Sequence, residues 1–266
     1  MRLHATITGR EPGSALDIVL LHGLFGSGRN LGVIARGLAG RFRVIALDLR
    51  NHGASSHAAD MRYPTMAADV VETLESLGVS RAAVIGHSMG GKTAMMTALL
   101  HPALVARLAV LDIAPIAYHH EHDGIIAALR DLALSPGLTR QAADAALSAA
   151  IPDAALRGFL LNNLVTGPGT PTDTRRGAMP HWRLGLAGIS AAMDDLVGWP
   201  DPASPQYRGP ALFLRGATSS YVPLSADEAI HQYFSAATII TIEGAGHWLH
   251  AEQPAAVVAA LIAFLA

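Results

Sequence analysis

Cysteine is absent from all 266 residues, which removes disulfides, thiolate nucleophiles and thiolate metal sites together and suits a reducing, cytoplasmic setting. Lysine is almost absent too: Lys92 is the only one, and the other basic residues are arginines scattered along the chain rather than striped. With a formal charge of −2, the chain carries no field that would hold a polyanion, so nucleic acid is not an expected partner. No apolar signal core follows Met1, and nothing in the first residues predicts export. The longest apolar tract, 255–266, is too short to span a bilayer and follows Pro254 at a first helical turn, so a buried C-terminal helix is expected and no membrane partner. The glycines of the loop after 17–21 show neither G-x-x-x-x-G-K-[ST] nor G-x-G-x-x-G spacing, which removes a phosphate-binding reading of that loop. Internal repeats and low-complexity tracts are also missing.

What is present is a pattern of short, β-branched apolar runs at 17–21, 43–47, 82–85, 107–111, 211–214 and 238–242. Near-continuous runs of this kind suit parallel strands buried on both faces. Helical periodicity at 31–38, 66–77 and 93–100 alternates with the early runs, the order of a doubly wound α/β sheet. The alternation breaks after Asp112. From 114 to about 207 no strand candidate appears, while helical stretches near 125–134, 140–149, 154–164 and 189–197 are separated by joints such as Gly167-Pro168-Gly169-Thr170-Pro171. The expectation is one core domain formed by 1–113 and 208–266, with 114–207 inserted as a helical lid.

Gly86-His87-Ser88-Met89-Gly90 sits where the run 82–85 gives way to a helix, the strand-turn-helix context of a nucleophile elbow. A free serine hydroxyl is a poor nucleophile, so a base and an oxyanion site must come from elsewhere. His247, in Gly244-Ala245-Gly246-His247-Trp248, follows the last strand and is the expected general base. The loop Leu20-Leu21-His22-Gly23-Leu24-Phe25-Gly26 places the Leu24 amide, with Phe25 as alternative, opposite the Met89 amide as an oxyanion hole. His22 is expected to tie that loop together. The acid is contested. The segment after the 211–214 run reads Gly216-Ala217-Thr218-Ser219, with serine where a Gly-x-x-Asp pattern would put a carboxylate, so the acid falls to Asp112, one strand after the nucleophile's, with Glu243 in reserve. A metal reading of His119-His120-Glu121-His122 fails on spacing, since no H-E-x-x-H places two ligands on one helix face. Lys92, four residues after Ser88, does not form an S-x-x-K pair and is expected on a helix surface.

These segments, with Asp48-Leu49-Arg50-Asn51-His52-Gly53, Gly90-Gly91-Lys92 and Leu111-Asp112-Ile113-Ala114-Pro115, resemble the α/β-hydrolase superfamily. More narrowly, they resemble small bacterial esterases and acyl-CoA thioesterases related to the mitochondrial α/β-hydrolase domain-containing proteins. The resemblance implies the α/β-hydrolase fold with an inserted lid, a small-molecule ester or thioester substrate, an acyl-enzyme intermediate, no cofactor and no metal. It also implies the acid at Asp112 and a place for Ser219 in the active-site network. Phe25 and Trp182 are candidate acyl-pocket walls. The competing expectations are carbon–carbon or amide hydrolysis by the same triad, and a hydrolase-like binding protein without turnover.

Overall fold

The computed structural model describes residues 1–13, 15–118, 122–166, 179–200 and 206–266. Its core is a seven-stranded sheet built from β1 (His4–Gly9), β2 (Asp17–Leu21), β3 (Arg43–Asp48), β4 (Ala82–His87), β5 (Val105–Leu111), β8 (Ala211–Gly216) and β9 (Ala237–Ile242). The spatial order is β1-β3-β2-β4-β5-β8-β9. β1 is antiparallel to β3 and every other pairing is parallel. Every residue of β3, β4 and β8 is buried, as expected for strands covered by helices on both faces. β1 has no apolar run behind it because it closes the sheet as an exposed edge, with His4, Thr6 and Thr8 outward.

Two helical layers cover the sheet. On one face α1 (Gly32–Ala39) and α11 (Pro254–Leu265) bury Ile34, Leu38, Val257 and Leu261 against Ile18, Leu20, Ile85 and Leu111. On the other, α2 (Tyr63–Ser76) and α3 (Met89–Leu100) cover Val19, Val84 and Val110. α9 (Asp227–Tyr233) and α10 (Leu249–Glu252) complete the second half.

Between β5 and β8 the chain leaves the sheet to form α4 (His122–Asp131), α5 (Arg140–Leu147), α6 (Ala154–Leu160), α7 (Leu186–Ala191) and α8 (Met193–Val197). Two short strands, β6 (Leu164–Val165) and β7 (His181–Trp182), pair antiparallel within this stretch, where the sequence offered no strand candidate. Two residues are too few to carry a period-2 pattern. Polar contacts tie the insertion to the core at several points. The Tyr63 hydroxyl donates to the Leu196 carbonyl at 2.6 Å, the Gly185 amide donates to the Asn51 carbonyl at 2.9 Å, and Lys92 reaches the end of α8. The joint Gly167-Pro168-Gly169-Thr170-Pro171 and the group His119-His120-Glu121 lie outside the described residues.

The strand order reverses between β2 and β4: β3 lies on one side of β2, while β4 and β5 run away on the other. Such a switch point opens a crevice at the carboxyl ends of the two strands. Residues 22–26 and Ser88 leave the sheet there.

Candidate active site

β4 ends at His87, α3 begins at Met89, and Ser88 alone makes the turn, with φ 52° and ψ −120°. A non-glycine residue in such a conformation costs about 1–3 kcal/mol and persists only where its surroundings enforce it. Here close packing does so: a Cβ at Gly86 would fall on the Gly90 carbonyl, and one at Gly90 on the carbonyls of Leu21 and His22. Only glycine at both positions lets β2, β4 and α3 meet so closely. The turn lifts Ser88 out of the sheet at the positive end of α3.

Asp112, directly after β5, also has a positive φ, of 51°, and is wholly buried. Its Oδ1 accepts from the Gly216 amide at 2.8 Å, and its Oδ2 accepts from the Ser219 hydroxyl. The same Oδ2 lies 2.8 Å from His247 Nδ1, and His247 Nε2 lies 3.1 Å from Ser88 Oγ. A carboxylate at Nδ1 fixes the tautomer in which Nε2 accepts from the serine. Glu243, the reserve acid, is exposed. Ser219 therefore stands in the position where a carboxylate was missing from the sequence, bridging to the carboxylate supplied by the neighbouring strand. Tyr221 stacks on the His247 ring with centroids 3.8 Å apart and planes 17° apart, and its amide donates to Ser219 Oγ at 3.2 Å. Nothing in the linear pattern singled out Tyr221. The signal was its place two residues past Ser219.

The amides of Leu24 and Met89 donate to no described protein acceptor. Phe25, the alternative donor, is committed: its N–H donates to His52 Nε2 at 3.1 Å. His52 in turn donates from Nδ1 to the Arg50 carbonyl at 2.8 Å. His22 does the same for the loop's other end, donating from Nδ1 to the Gly23 carbonyl at 2.8 Å and accepting from the Leu49 amide on Nε2 at 3.0 Å. Both rings are held neutral because burial opposes their charging. His22 is pushed below the usual histidine range and His52 down to about 3, with His22 adding to the effect. Two neutral imidazoles thus brace the 22–26 loop against the loop after β3.

A hydroxyl, an imidazole and a buried carboxylate in line, beside two free amides, one at a helix start and one on the facing loop, is the geometry of an acyl-transfer site. The family model described as alpha/beta hydrolase fold matches residues 18–254. The chain belongs to the α/β-hydrolase family. Similar relatives include the sn-1-specific diacylglycerol lipase ABHD11 of Xenopus tropicalis, 42% identical over 92% of this chain and 76% of that protein. Another is the esterase YbfF of Escherichia coli K12, 39% identical over 93% of this chain and 92% of that one. The solved structure of a marine microorganism esterase superposes with a TM-score of 0.90 at 36% identity, covering 99% of both chains. The chain is accordingly an enzyme of the hydrolase type.

In this hydrolase two cavities meet at Ser88. The larger, about 240 Å³, is lined by Leu24, Phe25, Ile125, Phe159, Trp248 and His247 among others. The smaller, about 50 Å³, is lined by Met89, Ile113 and Met193 with Tyr63, Tyr118 and Lys92. Phe25 is thus a wall of the larger cavity. Trp182 lines neither: its indole N–H donates to the Leu129 carbonyl at 2.9 Å, so it braces α4 from behind, and Phe159 and Trp248, whose rings meet at a tilt of 39° with centroids 5.9 Å apart, take the wall position instead. Lys92 is not on a helix surface either. All but one residue of α3 are buried, so this helix offers a lysine no solvent face. Its ammonium donates to the carbonyls of Val197 and Gly198 at 2.9 and 2.6 Å and lies 4.7 Å from the Tyr118 ring centre. Burial pushes it down to about 7, while the carbonyls and ring face favour the charged form. Among the described residues no helix is long and apolar enough to cross a membrane.

Proposed function

We propose that the chain hydrolyses carboxylic esters through an acyl-enzyme on Ser88. His247 takes the serine proton and returns it to the leaving oxygen, Asp112 orients the imidazole and balances its charge, and the amides of Leu24 and Met89 bind the oxyanion. The observation that carries this reading is the unbroken hydrogen-bond line from Asp112 Oδ2 through His247 to Ser88 Oγ, at 2.8 and 3.1 Å. The relatives named as esterases and a lipase support the ester as substrate. Residues 114–207 act as the lid, since α4, α6 and α8 supply Ile125, Phe159 and Met193 to the cavity walls.

The two cavities divide the substrate. His247 must protonate the leaving group, and it lines only the larger cavity, so the alcohol portion occupies that one and the acyl chain the smaller. A thioester leaving group is the second reading, favoured by a polar cleft of about 460 Å³ that shares Asn30 with the larger cavity and carries Arg29 and Arg183. Those cations suit a phosphate-bearing thiol. Labelling by a fluorophosphonate, followed by kcat/KM for nitrophenyl acetate, butyrate and octanoate and for matched acyl-CoAs, tests both. Labelling at Ser88 with the shortest acyl chains favoured is the expected result. A wild-type enzyme that neither labels nor turns over any ester would overturn the assignment.

A further inference from the structure

Lys92 is the only lysine of the chain, it is 1% exposed, and it lines the smaller cavity together with Ser88. A buried ammonium is tolerated when a carboxylate balances it. Among the described residues Lys92 has none: its partners there are the carbonyls of Val197 and Gly198 and the faces of Tyr118 and Tyr63. Two carbonyls use two of its three N–H donors. Lys92 follows Ser88 by four residues at the start of α3, so it sits one turn further along the same helix face. The cavity between them has room for roughly four water-sized groups at 10–15 Å³ each.

We propose that the smaller cavity is an acyl site for short acyl groups ending in a carboxylate, with Lys92 Nζ as the counter-ion. The inference rests on Ser88 as nucleophile and on the acyl chain occupying this cavity. The size and the charge agree. A chain of about four heavy atoms beyond the reacting carbonyl, as in a malonyl or succinyl half-ester, fits the same roughly four water-sized groups. Its terminal carboxylate meets the third donor of Lys92, whereas a longer or uncharged chain would leave the ammonium buried without an anion. Tyr63 is not a competing donor for that carboxylate, because its hydroxyl already donates to the Leu196 carbonyl at 2.6 Å. Tyr118 is likewise committed, donating to the Tyr221 carbonyl at 2.7 Å.

The test compares phenyl hydrogen succinate with phenyl pentanoate, the uncatalysed hydrolysis of each ester being subtracted from its rate. The wild-type enzyme is expected to favour the succinate in kcat/KM by tenfold or more, with the difference mainly in KM, and the preference should vanish in Lys92→Met. A second measurement needs no variant: succinate should inhibit wild-type hydrolysis of phenyl pentanoate at a concentration at least tenfold below butyrate, one carboxylate at the oxyanion amides and the other at Lys92. Pentanoate cleavage without any preference for the succinate, equal inhibition by the two acids, or a folded Lys92→Met that keeps the preference would each overturn the inference alone. Failure to cleave either ester would overturn the Ser88 assignment and this inference with it.

Discussion

The contested residue was the acid, and the geometry around it supplies a graded prediction. Asp112→Asn should lower kcat by about 10⁴, because an amide beside Nδ1 leaves the imidazole in the wrong tautomer. Ser219→Ala removes one hydroxyl donor from the same carboxylate, which still accepts from Gly216. A hydrogen bond of about 1 kcal/mol corresponds to roughly a fivefold loss, so the two variants should differ by about three orders of magnitude in a steady-state esterase assay. Equal losses would make Ser219 as necessary as Asp112 and contradict this grading. Ser88→Ala should remove fluorophosphonate labelling and nearly all turnover, with thermal unfolding unchanged. The residues legible in the sequence are those whose local pattern states their role, a serine between glycines and a histidine in a glycine loop. Lys92 departs from its sequence pattern because burial is a property of what surrounds α3, and Trp182 does so because an indole can face a cavity or a carbonyl with the same neighbours in sequence.

At the level of elements, the elbow depends on glycine as a space rather than as a hinge. Gly90→Ala would set a methyl on the carbonyls that end β2, forcing β2 and α3 apart. We expect loss of activity together with a lowered unfolding midpoint, read by circular dichroism. The C-terminal helix makes the opposite kind of contribution, by burial alone. Leu261 is fully buried on α11, and Leu261→Ala should cost about 2–5 kcal/mol in denaturant unfolding while kcat of the folded fraction is retained. A stability change under about 1 kcal/mol would mean that α11 is not packed as described. Parallel strands and their helices announced themselves through apolar runs and 3.6-residue periodicity. β1, β6 and β7 did not, since an exposed edge or a two-residue pairing needs no apolar face.

For the molecule as a whole, buried histidines set the acid limit. His52 is held down to about 3 by burial and by neighbouring His22, and His250 to about 4 by burial and by His247. Unfolding returns both to an ordinary value near about 6.5. Below that pH the unfolded chain binds protons that the folded one refuses, so stability falls as pH drops from about 6.5 toward 4 and is restored above it. Each ring contributes a slope of up to about 1.4 kcal/mol per pH unit. Urea unfolding at pH 7, 6, 5 and 4 should show this decline, and His250→Phe should make it shallower while His52 keeps part of the slope. A profile flat from pH 7 to 4 would contradict neutral, buried rings. The sequence by itself determined the parallel α/β core and singled out the serine, the histidine and the strand-end acid of the candidate site, because these follow from local apolar patterning and from glycines that only a tight turn requires. Only the tertiary structure decided that Asp112 rather than Glu243 reaches His247, that the Phe25 amide is spent on His52, and that the one lysine lies beside Ser88. Those outcomes depend on distances between strands and loops far apart in the chain, and such distances are fixed by packing across the sheet rather than by any neighbouring residue.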